Sequence, residues 1–180
     1  MKKEVRGIAL EVVQGDISSQ KDIEAVVNAA NASLKMGGGV AGAIHRTAGP
    51  GLEKECRPLA PIKPGEAVIT SGHNLPNEYV IHCLGPVYGR DKPEDELLAA
   101  CYKNALKIAE KENIKTIAFP AISTGAFGYP VKEAAEVAFN TLKKVIPELK
   151  KLKKIRFVLF NNSDLEIHLD AMSRIFGEEL

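Results

Sequence analysis

The sequence predicts an α/β fold, a mostly parallel or mixed sheet sandwiched between helices. Short runs rich in β-branched residues alternate along the chain with stretches of helical periodicity. The later short runs are almost continuously apolar rather than alternating, as expected of strands covered on both faces. Glycines and asparagines that packing does not require cluster directly after several of these runs. That is where open α/β sheets bind ligands, beyond the carboxyl ends of their strands.

Strands are expected over residues 8–13, 25–27, 67–70, 79–84, 116–119 and 155–160. A short helix over 40–48 is entered from three glycines. Leu98, Cys101, Tyr102, Ala105, Ile108 and Ala109 recur at three- and four-residue spacing, the mark of a helix with one apolar face. Ala134, Val137, Ala138, Leu142 and Val145 repeat the pattern, and Pro147 marks its stop. A last helix is expected over 164–176, with Ser163 or Asp164 as its N-cap.

A chain of 180 residues, 45% hydrophobic and 26% charged, suits one folded domain over 1–180. Its 24 basic and 23 acidic residues leave a net charge of +1, so no strong nucleic-acid binding is expected. A bound anion must be held by local geometry. No apolar run is long enough to span a membrane. The opening MKKEVRGIALEVVQGD is broken by Glu11 and Gln14 and reads as a strand rather than a signal peptide. A cytoplasmic location is the expectation. Cys56, Cys83 and Cys101 lack metal-ligand spacing and are expected as buried thiols, with no metal site. Lys150, Lys151, Lys153 and Lys154 are expected in a solvated turn.

Four segments carry the chemistry. Gly15-Asp16-Ile17 follows the first strand; Asp16 either caps a turn or offers a carboxylate to an exocyclic amine such as adenine's. Asn28-Ala29-Ala30-Asn31 follows the second; its amides can hold ribose hydroxyls or order their own loop. Gly37-Gly38-Gly39-Val40 lets backbone N–H groups approach an anion at a helix N-terminus, yet lacks the Gly-Lys-Ser/Thr of a P-loop. His45, within that helix, is expected as a packed or surface histidine. The run from Pro120 to Pro130 holds Ser123, Thr124, Gly125, Ala126 and Phe127, a second loop of exposed N–H groups with two hydroxyls and a ring able to cover a sugar. Two such loops suggest a diphosphate held from two sides. Phe160, followed by Asn161, belongs either to the core or to a base-stacking surface.

In this order, these segments resemble the macrodomain family over nearly the whole chain. Val26-Val27 before Asn28, Ala43-Ile44-His45, Ile81-His82 and Gly85-Pro86 add to the match. The resemblance implies a three-layer α/β/α sandwich with a central mixed, mostly parallel sheet. It also implies a pocket for ADP-ribose or an ADP-ribosylated protein, with no cofactor. On that likeness Asp16 and the Ile17 backbone take adenine, Phe160 stacks on it, and Asn28 and Asn161 lie at the site. The loops at Gly38, Gly39 and Val40 and at Ser123 to Phe127 cradle the diphosphate. Asn31 orients the distal ribose, Phe127 covers that sugar, and His82 is structural. Ala41 stands where the hydrolytic branch, typified by MacroD enzymes, has an aspartate. The resemblance therefore implies binding first, of mono-ADP-ribose, O-acetyl-ADP-ribose or ADP-ribosylated protein. Slow metal-independent hydrolysis of ADP-ribose esters or ADP-ribose 1''-phosphate comes second. An efficient ADP-ribosyl-protein hydrolase or O-acetyl-ADP-ribose deacetylase is the alternative.

Overall fold

The computed structural model describes residues 1–177, so residues 178–180 of the expected domain lie outside the described residues. The strands are β1 (Lys2–Val5), β2 (Ile8–Gln14), β3 (Ala25–Ala29), β4 (Ala67–Ser71), β5 (Tyr79–Cys83), β6 (Thr116–Phe119) and β7 (Lys154–Leu159). The helices are α1 (Gly39–Ala48), α2 (Pro50–Cys56), α3 (Glu94–Lys111), α4 (Val131–Val145) and α5 (Asn162–Phe176). One sheet runs in the order β1-β2-β7-β6-β3-β5-β4. Its inner pairs are parallel, while β1 against β2 and β4 against β5 are antiparallel, so the sheet is mixed and mostly parallel.

Side chains alternate across the sheet, which divides the core in two. Leu10, Val27, Ile81, Phe119 and Phe157 pack against α3, α4 and α5. Val26, Val80, Ala118 and Val158 pack against Ile44 and Leu52 of α1 and α2. The three layers are thus α3/α4/α5, sheet, and α1/α2. The parallel register of β2, β7, β6, β3 and β5 brings their carboxyl ends to one rim, where the loops at 15, 30, 85, 120 and 160 emerge.

Several expectations are corrected. The N-cap of α5 is Asn161, whose side-chain oxygen accepts from the Asp164 amide at 2.8 Å, rather than Ser163 or Asp164. Phe160 is no core residue, being 86% exposed just past the end of β7. Lys154 lies in β7 rather than in a turn, beside the carboxylates of Glu11 and Asp22. Helix α2 carried no apolar repeat long enough to read, and β1 is a polar edge strand whose pairing with β2 orders it. The three cysteines are buried free thiols. Among the described residues no helix is long and apolar enough to cross a membrane.

Candidate functional site

The first glycine run leads into α1. Gly39 takes a φ of +55°, the left-handed region that glycine enters without strain. Gly38 is the N-cap and offers no side chain to the helix. The Gly42 amide is the first to find a carbonyl, Gly38 O at 3.1 Å. The amides of Gly39, Val40 and Ala41 therefore stand unpartnered at the positive end of the helix dipole. Gly42 serves packing instead: a Cβ there would fall 2.5 Å from Gly37 O and 2.8 Å from Arg46 Nη1.

The second loop follows β6. It is closed by Tyr129 N–H donating to Ser123 O at 2.9 Å and Gly128 N–H to Gly125 O at 3.0 Å. The Thr124 hydroxyl donates to Ala121 O at 2.9 Å. The amides of Gly125, Ala126 and Phe127 donate to nothing among the described residues. Ser123 has a φ of +69° and a buried hydroxyl without a partner. Strain of this kind, on the order of 1–3 kcal/mol, together with an orphaned buried oxygen, makes Ser123 a candidate functional position.

Between the loops lies a cleft of about 290 Å³. It is lined by Asn31, Gly38, Gly39 and Val40 on one side and by Ser123, Gly125, Ala126 and Phe127 on the other. No lysine, arginine or carboxylate lines it. A phosphate placed there would meet backbone amides and a helix dipole.

A family model described as Macro domain matches residues 27–138. The chain belongs to the macro domain family. Among relatives, an O-acetyl-ADP-ribose deacetylase of Klebsiella pneumoniae is 45% identical, over 88% of this chain and 93% of that protein. Among solved structures, an Oceanobacillus iheyensis macrodomain with ADP superposes at a TM-score of 0.94 and 38% identity, over 99% of this chain and 97% of that one. A Trypanosoma brucei macrodomain in complex with ADP-ribose gives 0.85 at 34% identity, over 91% and 68%.

Within this macro domain, six expected site residues lie outside the cleft. Asp16 and Phe160 sit beyond it, past the carboxyl ends of the paired strands β2 and β7. Asp16 Oδ1 accepts from the Ser18 amide at 2.8 Å and the Ser18 hydroxyl at 2.6 Å, so the carboxylate caps a turn. Ile17 is buried in the α1/α2 side of the core. The Asn161 oxygen is taken up in capping α5. Thr124 spends its hydroxyl on its own loop.

Asn28 faces away from the cleft, into the α1/α2 layer. Its Nδ2 lies 3.1 Å from His82 Nδ1, and His82 Nε2 lies 2.9 Å from Thr70 Oγ1 and 3.6 Å from Cys56 Sγ. Asn31 lines the cleft, yet both ends of its amide hold Lys35: Nδ2 donates to Lys35 O at 2.8 Å and Oδ1 accepts from Lys35 N–H at 3.1 Å. One N–H and one lone pair remain for a ligand. Gly37 and Ala41, singled out in the sequence, also line the cleft, while Ala29, Ala30, Gly85, Ala121 and Ile122 line it without having been assigned to the site. Gly85 has a reason visible only in the fold, since a Cβ there would fall 2.1 Å from Ser123 Oγ. The small apolar residues carried no signal.

Burial, and then the neighbouring His45, push the His82 pKa from 6.5 down to about 3. The folded protein keeps this ring neutral while the unfolded chain protonates it, so stability is fully present above pH 6.5 and is lost as pH falls toward 3. Burial lowers His45 and His168 in the same direction. The expected result is a loss of roughly 1 kcal/mol per pH unit across that window from His82 alone. Chemical denaturation of wild type and His82→Gln between pH 7 and 4 checks this. An equal acid loss in both would remove His82 as the cause.

Proposed function

We propose that the cleft binds ADP-ribose, free or carried on a protein, and turns over its esters slowly, with residues 1–180 acting as one macrodomain. The observation that carries this is the cradle itself. Unpartnered amides from α1 and from the loop after β6 face one cleft that holds no cationic side chain. In the proposed pose adenine lies by Asp16, Ile17 and Phe160, near Asn161. The diphosphate lies between Gly38, Gly39, Val40 and Ser123, Thr124, Gly125, Ala126. The distal ribose lies at Asn31 under Phe127, with Asn28 shaping the strand end behind it. The relatives carrying ADP or ADP-ribose support this assignment. Near-neutral charge fits a small anionic ligand rather than nucleic acid, and the setting we assign is the cytoplasm.

Calorimetry with ADP-ribose and AMP tests the cradle. ADP-ribose should bind much more tightly, and equal affinities would remove the diphosphate from the site. Asp16→Ala should weaken ADP-ribose roughly ten-fold, the loss of one charge-assisted hydrogen bond. Its Oδ2 takes no part in the hydrogen bonds to Ser18, so an oxygen remains for the adenine amine. The hypoxanthine analogue, lacking that amine, should bind wild type and Asp16→Ala alike. A wild type that binds both bases equally would take Asp16 off the adenine.

A second reading, an efficient hydrolase, draws support from the deacetylase relative and from Asn31 in the cleft. Ala41 in the cleft wall argues against it, because no carboxylate is left there to activate water.

A further inference from the structure

The proposed ligand pose has a free end. Asp16 and Phe160 follow β2 and β7, while the cradle lies over β6, β3 and β5. The end of the ligand away from the base therefore comes to rest by Asn31, Gly37 and Gly85. The chain from that end, through Met36 and Lys35, borders a groove of two further hollows. Each is about 380 Å³ in volume, one walled by Met36, His45 and Arg46, the other by Lys35, Arg57 and Pro61. They share Glu53, and Lys35 and Met36 run directly into Gly37 of the cleft. Arg46 marks the junction: its Nη1 lies 2.8 Å, and Gly37 O 2.5 Å, from the point a Cβ on Gly42 would occupy.

The groove is cationic and unspent. Lys35, Arg46 and Arg57 form no ion pair among the described residues, in contrast to Arg156 and Arg174. Against them stands the Glu53 carboxylate alone. Met36, 51% exposed, lies between the cations and supplies apolar contact. On the wall of the first hollow, His45 is 2% exposed and its Nε2 has no partner. That nitrogen is shut inside the wall, so the groove's recognition rests on its exposed cations and Glu53.

We propose that this groove docks the polypeptide that carries the ADP-ribose, and that it selects acidic segments. The inference rests on the cleft binding ADP-ribose. An extended peptide leaving the distal ribose enters the groove beside Met36. Its carboxylates meet Lys35, Arg46 and Arg57, and its backbone N–H groups meet Glu53. Rim charges of this kind set partner choice and encounter rate.

The test compares three probes by fluorescence anisotropy: free ADP-ribose, an Asp/Glu-rich peptide carrying ADP-ribose through a hydrolysis-resistant linkage, and the same peptide with Asn/Gln in place of Asp/Glu. The acidic peptide should bind most tightly, with an advantage that shrinks as salt rises. Arg46→Glu combined with Arg57→Glu, neither of which lines the cleft, should weaken it roughly five- to ten-fold, as expected for a few exposed charge contacts, and leave free ADP-ribose unchanged. Equal binding of the two peptides, or an acidic peptide indifferent to the double variant, would overturn the groove while leaving the cleft intact. A larger gain from an oligonucleotide tail would also overturn it. Failure of the folded wild type to bind free ADP-ribose would overturn the cleft assignment, and the groove with it.

Discussion

Gly38→Glu is expected to weaken ADP-ribose binding ~100-fold or more while the protein stays folded. The position separates the two effects. Gly38 is extended, and a Cβ there meets nothing within 4 Å, so the backbone accepts a side chain. Gly39 would be a poor choice, because its φ of +55° makes any substitution a test of strain as well. A carboxylate at Gly38 enters the cleft between the two sets of amides and faces the diphosphate. Like charges brought together in a desolvated site cost on the order of 3 kcal/mol or more, which is ~100-fold in affinity. Thermal unfolding should change little, since an exposed substitution stays within about 0.5 kcal/mol. Calorimetry beside the melting curve decides the matter. An affinity within a few-fold of wild type in a folded variant would move the diphosphate out of this cleft.

Ala41→Asp is expected to raise the hydrolysis of ester-linked ADP-ribose about ten- to hundred-fold. Ala41 lies in the first turn of α1 and lines the cleft. A carboxylate there is well placed to take a proton from water, a contribution that reaches ~10²–10⁴-fold where the surroundings are built for it. Here the helix N-terminus stabilises the anion and lowers its basicity, and no supporting shell orients it, so the gain is smaller. The wild type should be slow, relying on positioning and on the ligand's own phosphate. Asn31→Ala should slow it further, by more than it weakens binding. Single-turnover release from a modified protein measures all three. A fast wild type indifferent to Asn31→Ala would point to another catalytic group.

Much of this was legible in the sequence where one local rule had no competitor. Six of the strands and four of the helices announced themselves by period, because their apolar faces are continuous. Strand β1 and helix α2 did not, since one is polar and paired at an edge and the other is short and begins at Pro50. The glycine loops were readable because three glycines in a row have little other use. The asparagines were not. Asn28 and Asn31 are three residues apart and chemically identical, yet one faces a buried histidine and the other the cleft. Only the pleat of β3 and the turn after it decide which goes where. Phe160 left two readings open, and its exposure at the end of β7 settles them against the core.

The clamp between Asn31 and Lys35, and the close seating of Gly42 on the Gly37 carbonyl, fasten the first loop to itself before any ligand arrives. The bond from Tyr88 N–H to Phe127 O, at 2.9 Å, ties the second loop to its neighbour in the same way. Little chain entropy is left to surrender on association, so encounter rather than rearrangement sets the time course. In a stopped-flow trace, capture of ADP-ribose should follow a single exponential whose rate climbs linearly with ligand concentration. Cutting the clamp with Asn31→Ala should bend that line toward a plateau, as loop ordering becomes the slow step.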